Sequence, residues 1–423
     1  MSDPPIYLAT VSAPTNIAVI KYWGKASLAH NTPINSSLSV TLDQADLRAV
    51  TTVAASPSFT KDRLWLNGQE DETAATSKRF RACVDGVKAL ATTHPHVQNS
   101  HNDDDDSQKV LVTKEEWQKW NVHVSSYNTF PTAAGLASSA AGYAALVAAL
   151  AELYQAKESF PGELTTLARQ GSGSACRSLY GNAVAWRMGS AENDWKDSLA
   201  EPVANGQAWP ELRALILVVS DQKKDTSSTS GMVTSVATST LLQHRATTVV
   251  PQRMEAIEQA WAAKDFASFA KITMQDSNQF HATCLDTYPP IFYMTDTSRD
   301  IVRILTIYNT WAGTPRAGYT FDAGPNAVVY TLEEYLPEVT ALLLKFFPPA
   351  DGRDLKDYVN KPVDTTFELD PSLLAACEGK TPQPGTVKYF YQTKAGPGPQ
   401  VLTGKESNLD PKTGLNTYQP TTK

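Results

Sequence analysis

The segment NTFPTAAGLASSAAGYAALVAAL, Asn128 to Leu150, constrains this chain more than any other stretch. Its first half is crowded with Gly, Ala and Ser around Pro131 and Gly135, and an uninterrupted Ala-rich helical pattern follows. The strand-like run WNVHVSSYNTF leads straight into it. A strand, a small-residue loop and a helix in that order admit two arrangements. Backbone N–H groups at a helix start are unpaired and point outward, so a loop with low walls there lets a phosphate approach. Small residues equally let a helix pack close against a sheet. Ser138 and Ser139 add hydroxyls that could bond a phosphate or its metal. The spacing differs from Gly-x-x-x-x-Gly-Lys-Ser/Thr, which excludes the common P-loop.

Two further loops repeat the theme. GSGSACRSLYG sets Ser172, Gly173 and Ser174 ahead of Arg177, whose planar guanidinium suits phosphate or carboxylate. KKDTSSTSG sets Ser227, Ser228 and Thr229 before Gly231 and a helical run. Each alone suits a cap or a turn; three together favour an anion site. IKYWGK places Lys21 at the end of an apolar strand, followed by Tyr22, Trp23, Gly24 and Lys25. Such a lysine is either a snorkelling surface group or a cation held for use. YTFDAGPNAVV holds Asp322 in a tight turn between two strands. Asp-Ala-Gly-Pro is ordinary turn chemistry, yet apolar flanks also set a carboxylate at the edge of a cleft.

A chain of 423 residues suggests two or three domains. Runs of strands followed by runs of helices occur twice, which predicts an α+β protein rather than a doubly wound sheet. The expected division is 1–205, 206–378 and a Pro/Gly-rich tail, 379–423, carrying one possible strand, TVKYFYQT. Single helices are expected over 71–91, 138–155 and 231–247, and a solvated acidic loop over 92–109. The net charge of −7 argues against general nucleic-acid or anionic-membrane binding, so an anion site must be local. Four scattered cysteines without a CxxC pair fit reduced thiols. No secretory leader and no apolar run of about 18 residues is seen, so a cytoplasmic protein is expected. His94, His96 and His101 lie near Asp103–Asp106 in the acidic loop and receive no role, and no zinc spacing occurs elsewhere.

FPTAAGLASSAAGYAAL resembles the phosphate-binding loop of the GHMP kinase superfamily. With NIAVIKYWGK, GSGSACRSL, VSDQKKDTSSTSGM, MQDSNQFHATCLDTYPPIFYM and YTFDAGPNAV, it resembles the diphosphomevalonate decarboxylase family over most of residues 8–335. The resemblance implies a two-domain GHMP kinase fold. Its N-terminal domain would be like ribosomal protein S5 domain 2 and its C-terminal domain ferredoxin-like, with the active site in the cleft between.

The implied reaction is ATP-dependent decarboxylation of (R)-5-diphosphomevalonate to isopentenyl diphosphate, a late step toward isoprenoids and sterols. The resemblance places Asp322 against the substrate's 3-hydroxyl, Lys21 beside it, and Arg177 on a substrate carboxylate or phosphate. Tyr22, Trp23, Gly24, Lys25, Arg79, Ser172, Gly173, Ser174, Ala175, Cys176, Ser228 and Thr229 would line the substrate side. Pro131, Gly135, Leu136, Ala137, Ser138 and Ser139 would hold the ATP phosphates. Mg2+ would ride on those phosphates, with no dedicated protein ligand set. A cytosolic homodimer without nucleic-acid or membrane partners is implied. A superfamily kinase that stops at phosphoryl transfer is the rival; KYWGK and SGSACR speak against it. A catalytically dead ligand sensor should lack the lysine or the aspartate, and both are present.

Overall fold

The computed structural model describes residues 4–97, 109–130, 138–222 and 224–420. Alternating β-branched and small residues build a six-stranded sheet in the N-terminal half. Its order is Gln400–Leu402, Tyr7–Pro14, Arg48–Ser56, Asn121–Asn128, Arg63–Leu66, Gln69–Glu70. All neighbours are antiparallel except Asn121–Asn128 and Arg63–Leu66, which run parallel. The helix Ser138–Tyr154 lies on this sheet. Ala141, Ala144 and Ala145 meet Ala13 and Ala49 in one buried cluster, so the alanines serve close helix–sheet approach.

A second N-terminal sheet has the order Ala200–Pro202, Ala183–Trp186, Ser37–Thr41, Asn16–Ile20. The C-terminal half has one four-stranded sheet, Ala317–Phe321, Ala327–Leu332, Leu212–Val218, Tyr389–Lys394. The two halves are joined by a common core. Ile17, Val19, Leu38 and Val40 of the second sheet pack with Val250, Ile257, Trp261 and Phe269 of the helices Val250–Ala263 and Phe266–Asp286. This is the expected two-domain α+β architecture, and the core fixes the two halves against each other.

The structure departs from the sequence expectations at four places. The helix expected over 71–91 is split into Glu72–Ala75 and Lys78–Ala89, because the Ser77 hydroxyl caps the second piece by accepting from the Phe80 N–H. The helix expected from 231 starts at Ser228, capped by Ser227, and breaks at Ser239, which caps Thr240–His244. Within 92–109, His94–Val97 pairs antiparallel with Lys109–Val112 at the segment's end, instead of remaining loop. The tail from 379 is not one appendage. Tyr389–Lys394 edges the C-terminal sheet and Gln400–Leu402 edges the N-terminal one, so the chain crosses back between the halves.

The alanine cluster generates a prediction. Ala144→Leu, which must place a larger side chain between helix and sheet, should cost about 1–3 kcal/mol. Its thermal midpoint should fall below that of Gly142→Ala, a change made on the same helix where an added Cβ meets nothing within 4 Å.

Candidate active site

The strand Asn16–Ile20 is buried at all five positions and ends where Lys21 leaves the sheet. Lys21 is 3% exposed. Having no strand partner, its peptide groups are met by side chains. The Lys21 N–H donates to Asp276 Oδ2 at 2.7 Å, and its C=O accepts from Arg245 Nη2 at 2.8 Å and Asn35 Nδ2 at 3.1 Å. Asp276 and Arg245 form a fully buried ion pair at 2.8 Å, and Arg253 adds a second cation at 3.0 Å. From that anchor the Lys21 ammonium reaches Asp322 Oδ1 at 2.5 Å. Burial lowers the lysine's pKa, and the Asp322 charge works against that. Asp322 follows the strand Ala317–Phe321 and keeps 40% of its side chain exposed, so it faces a cleft.

Arg177 lies in the short 3-10 helix Gly173–Leu179 and is 2% exposed. It donates to Ser37 Oγ at 2.7 Å and Ser39 Oγ at 2.8 Å, and its guanidinium sits 5.6 Å from the Trp186 ring centre. No carboxylate lies within ion-pair distance of it among the described residues. Hydroxyls and an aromatic ring therefore hold its position without cancelling its charge. Lys224 approaches the Ala323 carbonyl and lies 3.3 Å from Ser228 Oγ. Burial lowers its pKa, and Asp322 opposes that shift.

These groups share a cavity of about 500 Å³. Among the described residues, Lys21, Lys25, Arg79, Arg177 and Lys224 bring five cations to its wall, and Asp322 is the only carboxylate lining it. Tyr22, Trp23, Ser172, Gly173, Ser174, Ser228 and Thr229 also line it. Tyr22 packs edge-on against Trp186 at 4.8 Å, and burial pushes its hydroxyl up to about 12. Trp23 is pinned by a 2.8 Å bond to Ser235 Oγ and by Phe280 at 4.9 Å.

Three of the expected side chains do not reach the cavity. Ala175 and Cys176 are wholly buried behind it, in the cores around Leu150 and Trp186 respectively. Gly24 acts through its backbone: its φ is +96°, and an added Cβ would come within 2.8 Å of Ile34 and Val236. Pro131, Gly135, Leu136 and Ala137 lie outside the described residues. The helix that follows them does open on the cavity. Ser138 and Ser139 line it, and Ser139 Oγ is 3.3 Å from Ser172 Oγ.

A second, apolar cavity of about 260 Å³ shares Ser138 and Ser139 with the first and runs between Leu64, Phe80, Val124, Tyr143 and Leu146. Sequence reasoning missed it. It also missed Lys224, whose signal was a lysine separated by one residue from the hydroxyl run 226–230, and Asn16, which bonds Ser178 Oγ at 2.7 Å beside Arg177. Arg245 and Asp276 had no local signal, because they meet only through the tertiary fold.

Two family models match successive parts of the chain. The diphosphomevalonate decarboxylase-like N-terminal domain matches residues 13–200, and the mevalonate 5-diphosphate decarboxylase C-terminal domain matches residues 214–402. This chain belongs to the diphosphomevalonate decarboxylase family. The diphosphomevalonate decarboxylase of Rattus norvegicus is 49% identical over 414 residues, 97% of this chain and 98% of that protein. A crystal structure of mevalonate 5-diphosphate decarboxylase is 45% identical, with a TM-score of 0.79 over 97% of this chain and 100% of its own. A further decarboxylase structure, in complex with MVAPP, AMPPCP and magnesium, is 28% identical with a TM-score of 0.68, covering 94% of this chain and 99% of its own. The activity of this diphosphomevalonate decarboxylase family member is the decarboxylation step of the mevalonate pathway.

One site-adjacent group makes the fold acid-sensitive. Burial, then the nearby Lys21 charge, drives His281 from 6.5 to about 4. The unfolded chain therefore binds a proton there that the folded chain refuses. This term is absent above pH 6.5 and grows against the fold as pH falls toward 4, reaching roughly 3 kcal/mol. His281→Asn should lose less stability than the natural chain between pH 6.5 and 4, measured by denaturant unfolding at each pH.

Proposed function

We propose that the cationic cavity is where this chain phosphorylates and decarboxylates (R)-5-diphosphomevalonate, with Asp322 against the 3-hydroxyl group. The observation that carries this reading is Asp322, the one carboxylate lining the cavity among the described residues, held 2.5 Å from a buried lysine in a cavity that Lys25, Arg79, Arg177 and Lys224 also line. A substrate bearing a carboxylate and a diphosphate, alongside ATP, supplies the negative charge such a cavity lacks.

The substrate's tertiary hydroxyl is a poor leaving group. Asp322 orients it and takes its proton as the oxygen attacks the γ-phosphorus of ATP, releasing ADP. Lys21 and Lys224 flank this carboxylate and neutralise charge that moves during transfer. The C3–O bond then breaks with its electron pair on phosphate. The positive charge left at C3 draws the C–C bonding pair of the carboxylate, and CO2 departs as the new double bond forms. Asp322 also lies where that transient positive charge develops. Arg177, anchored by Ser37 and Ser39, grips the substrate carboxylate or diphosphate. Arg79, Lys25, Ser172, Ser228 and Thr229 complete the grip.

The ATP base fits the apolar cavity beside Tyr143, with its phosphates crossing Ser138 and Ser139 at the helix start. The Ser138 and Ser139 hydroxyls would help hold Mg2+ carried on the phosphates, where the ion would neutralise phosphate charge. The solved relative bound to AMPPCP and magnesium supports both ligands. On this reading the enzyme feeds isoprenoid and sterol synthesis in the cytosol, as a homodimer. The four buried, unpaired cysteines suit such a reducing compartment.

Asp322→Asn should lower kcat by roughly 10³-fold. ATP and substrate should still bind, followed by calorimetry, and circular dichroism should be unchanged. A variant that turns over normally would remove Asp322 from the chemistry. Arg177→Ala should raise the KM for diphosphomevalonate by about tenfold to a hundredfold. Unchanged KM and kcat would take Arg177 out of the substrate grip.

A further inference from the structure

Arg245 and Asp276 are wholly buried, and neither lines the cavity. A buried ion pair is usually no more stabilising than apolar residues of the same shape. What this pair does beyond satisfying itself is grip one residue. Asp276 Oδ2 takes the Lys21 N–H at 2.7 Å, and Arg245 Nη2 donates to the Lys21 C=O at 2.8 Å. Both peptide groups of a residue that has just left its sheet are thus held by one fork-on-fork pair. The pair is itself braced. Arg253 bonds Asp276 Oδ1 at 3.0 Å, and Gln279 Oε1 accepts from Arg245 at 2.8 Å and Arg253 at 2.9 Å. Arg245 opens a π-helical turn, Arg245–Val249, an uncommon form that recurs at functional sites. Arg245 and Asp276 belong to the C-terminal half, and Lys21 to the N-terminal half.

We propose that Arg245 and Asp276 are positioning residues that hold the Lys21 backbone so that its ammonium meets Asp322. The proposal rests on the role given to Lys21 above. A displacement of about 1 Å at that backbone is enough to cost on the order of a hundredfold in rate. Arg245→Lys keeps the charge, but a single ammonium cannot fork across Asp276 and also reach the Lys21 carbonyl.

The test is a double-mutant cycle. Arg245→Lys should lower kcat about tenfold to a hundredfold, leave both KM values within about threefold, and keep about one ATP site per chain. In a Lys21→Gln background the same change should cost less than about threefold more, because it acts through Lys21. Full kcat in R245K would overturn the proposal. So would an equal further loss in the K21Q background, or a loss of ATP sites in proportion to kcat. If R245K does not fold, Asp276→Asn enters the same cycle with the same expected and contrary results. A K21Q enzyme as fast as the natural one would instead overturn the role of Lys21 itself.

Discussion

The proposed active site depends on one contact, the ion pair between Lys21 and Asp322. Its two members come from opposite halves of the molecule. Lys21 follows an edge strand of the second N-terminal sheet, and Asp322 follows an edge strand of the C-terminal sheet. The distance between them is set by the apolar core that joins the halves, in which Ile17, Val19 and Leu38 meet Ile257, Trp261 and Phe269. That core gives no direction to a side chain; hydrophobic contact is non-directional. Direction comes from hydrogen bonds, above all those that Asp276 and Arg245 make to the Lys21 peptide.

The second constraint is charge. The chain is acidic as a whole, at −7, while among the described residues the cavity holding Lys21 and Asp322 is lined by five cations and one carboxylate. Like charges gathered in a partly dry cleft repel one another and are poorly solvated, which is why burial lowers the pKa of Lys21, Lys25 and Lys224. The fold tolerates this because neutral groups do the holding. Serines 37 and 39 and the Trp186 face position Arg177, and the Ala323 carbonyl positions Lys224. Arg177 and Lys224 form no ion pair among the described residues, so on the proposed reading they remain available to an anionic substrate and nucleotide. The same environment strengthens each contact once those ligands displace water.

Much of the fold could be read from the chain. Alternation marked the strands around Leu8, Val53 and Val124, and the Ala-rich run marked the helix from Ser138. Helix ends were harder, since Ser77, Ser227 and Ser239 cut or start helices through single hydroxyl caps. The tail's strands were half legible. The aromatic run around Phe390 reads as a strand, but Gln400–Leu402 is too short to carry a pattern and exists because the edge of Tyr7–Pro14 was open. In the site, contiguous motifs such as KYWGK and SGSACR were visible, while within the described part of 128–150 Ala141, Ala144 and Ala145 serve close packing and Ser138 and Ser139 line the cavity. Cys176 shows the limit of a motif: Ser174 and Arg177 line the cavity while it faces the core. Asp276 lies 255 residues from Lys21, so no local pattern could have paired them.

The most direct measurement of the whole account is the product ratio of the unmodified enzyme. Purified protein would be given ATP, Mg2+ and diphosphomevalonate labelled at its carboxylate carbon, with released CO2 trapped and ADP counted in the same sample. The account predicts labelled CO2 and ADP in equal amounts at every time point. ADP accumulating without CO2 would contradict it, leaving a cavity that transfers phosphate but does not carry the substrate through to decarboxylation.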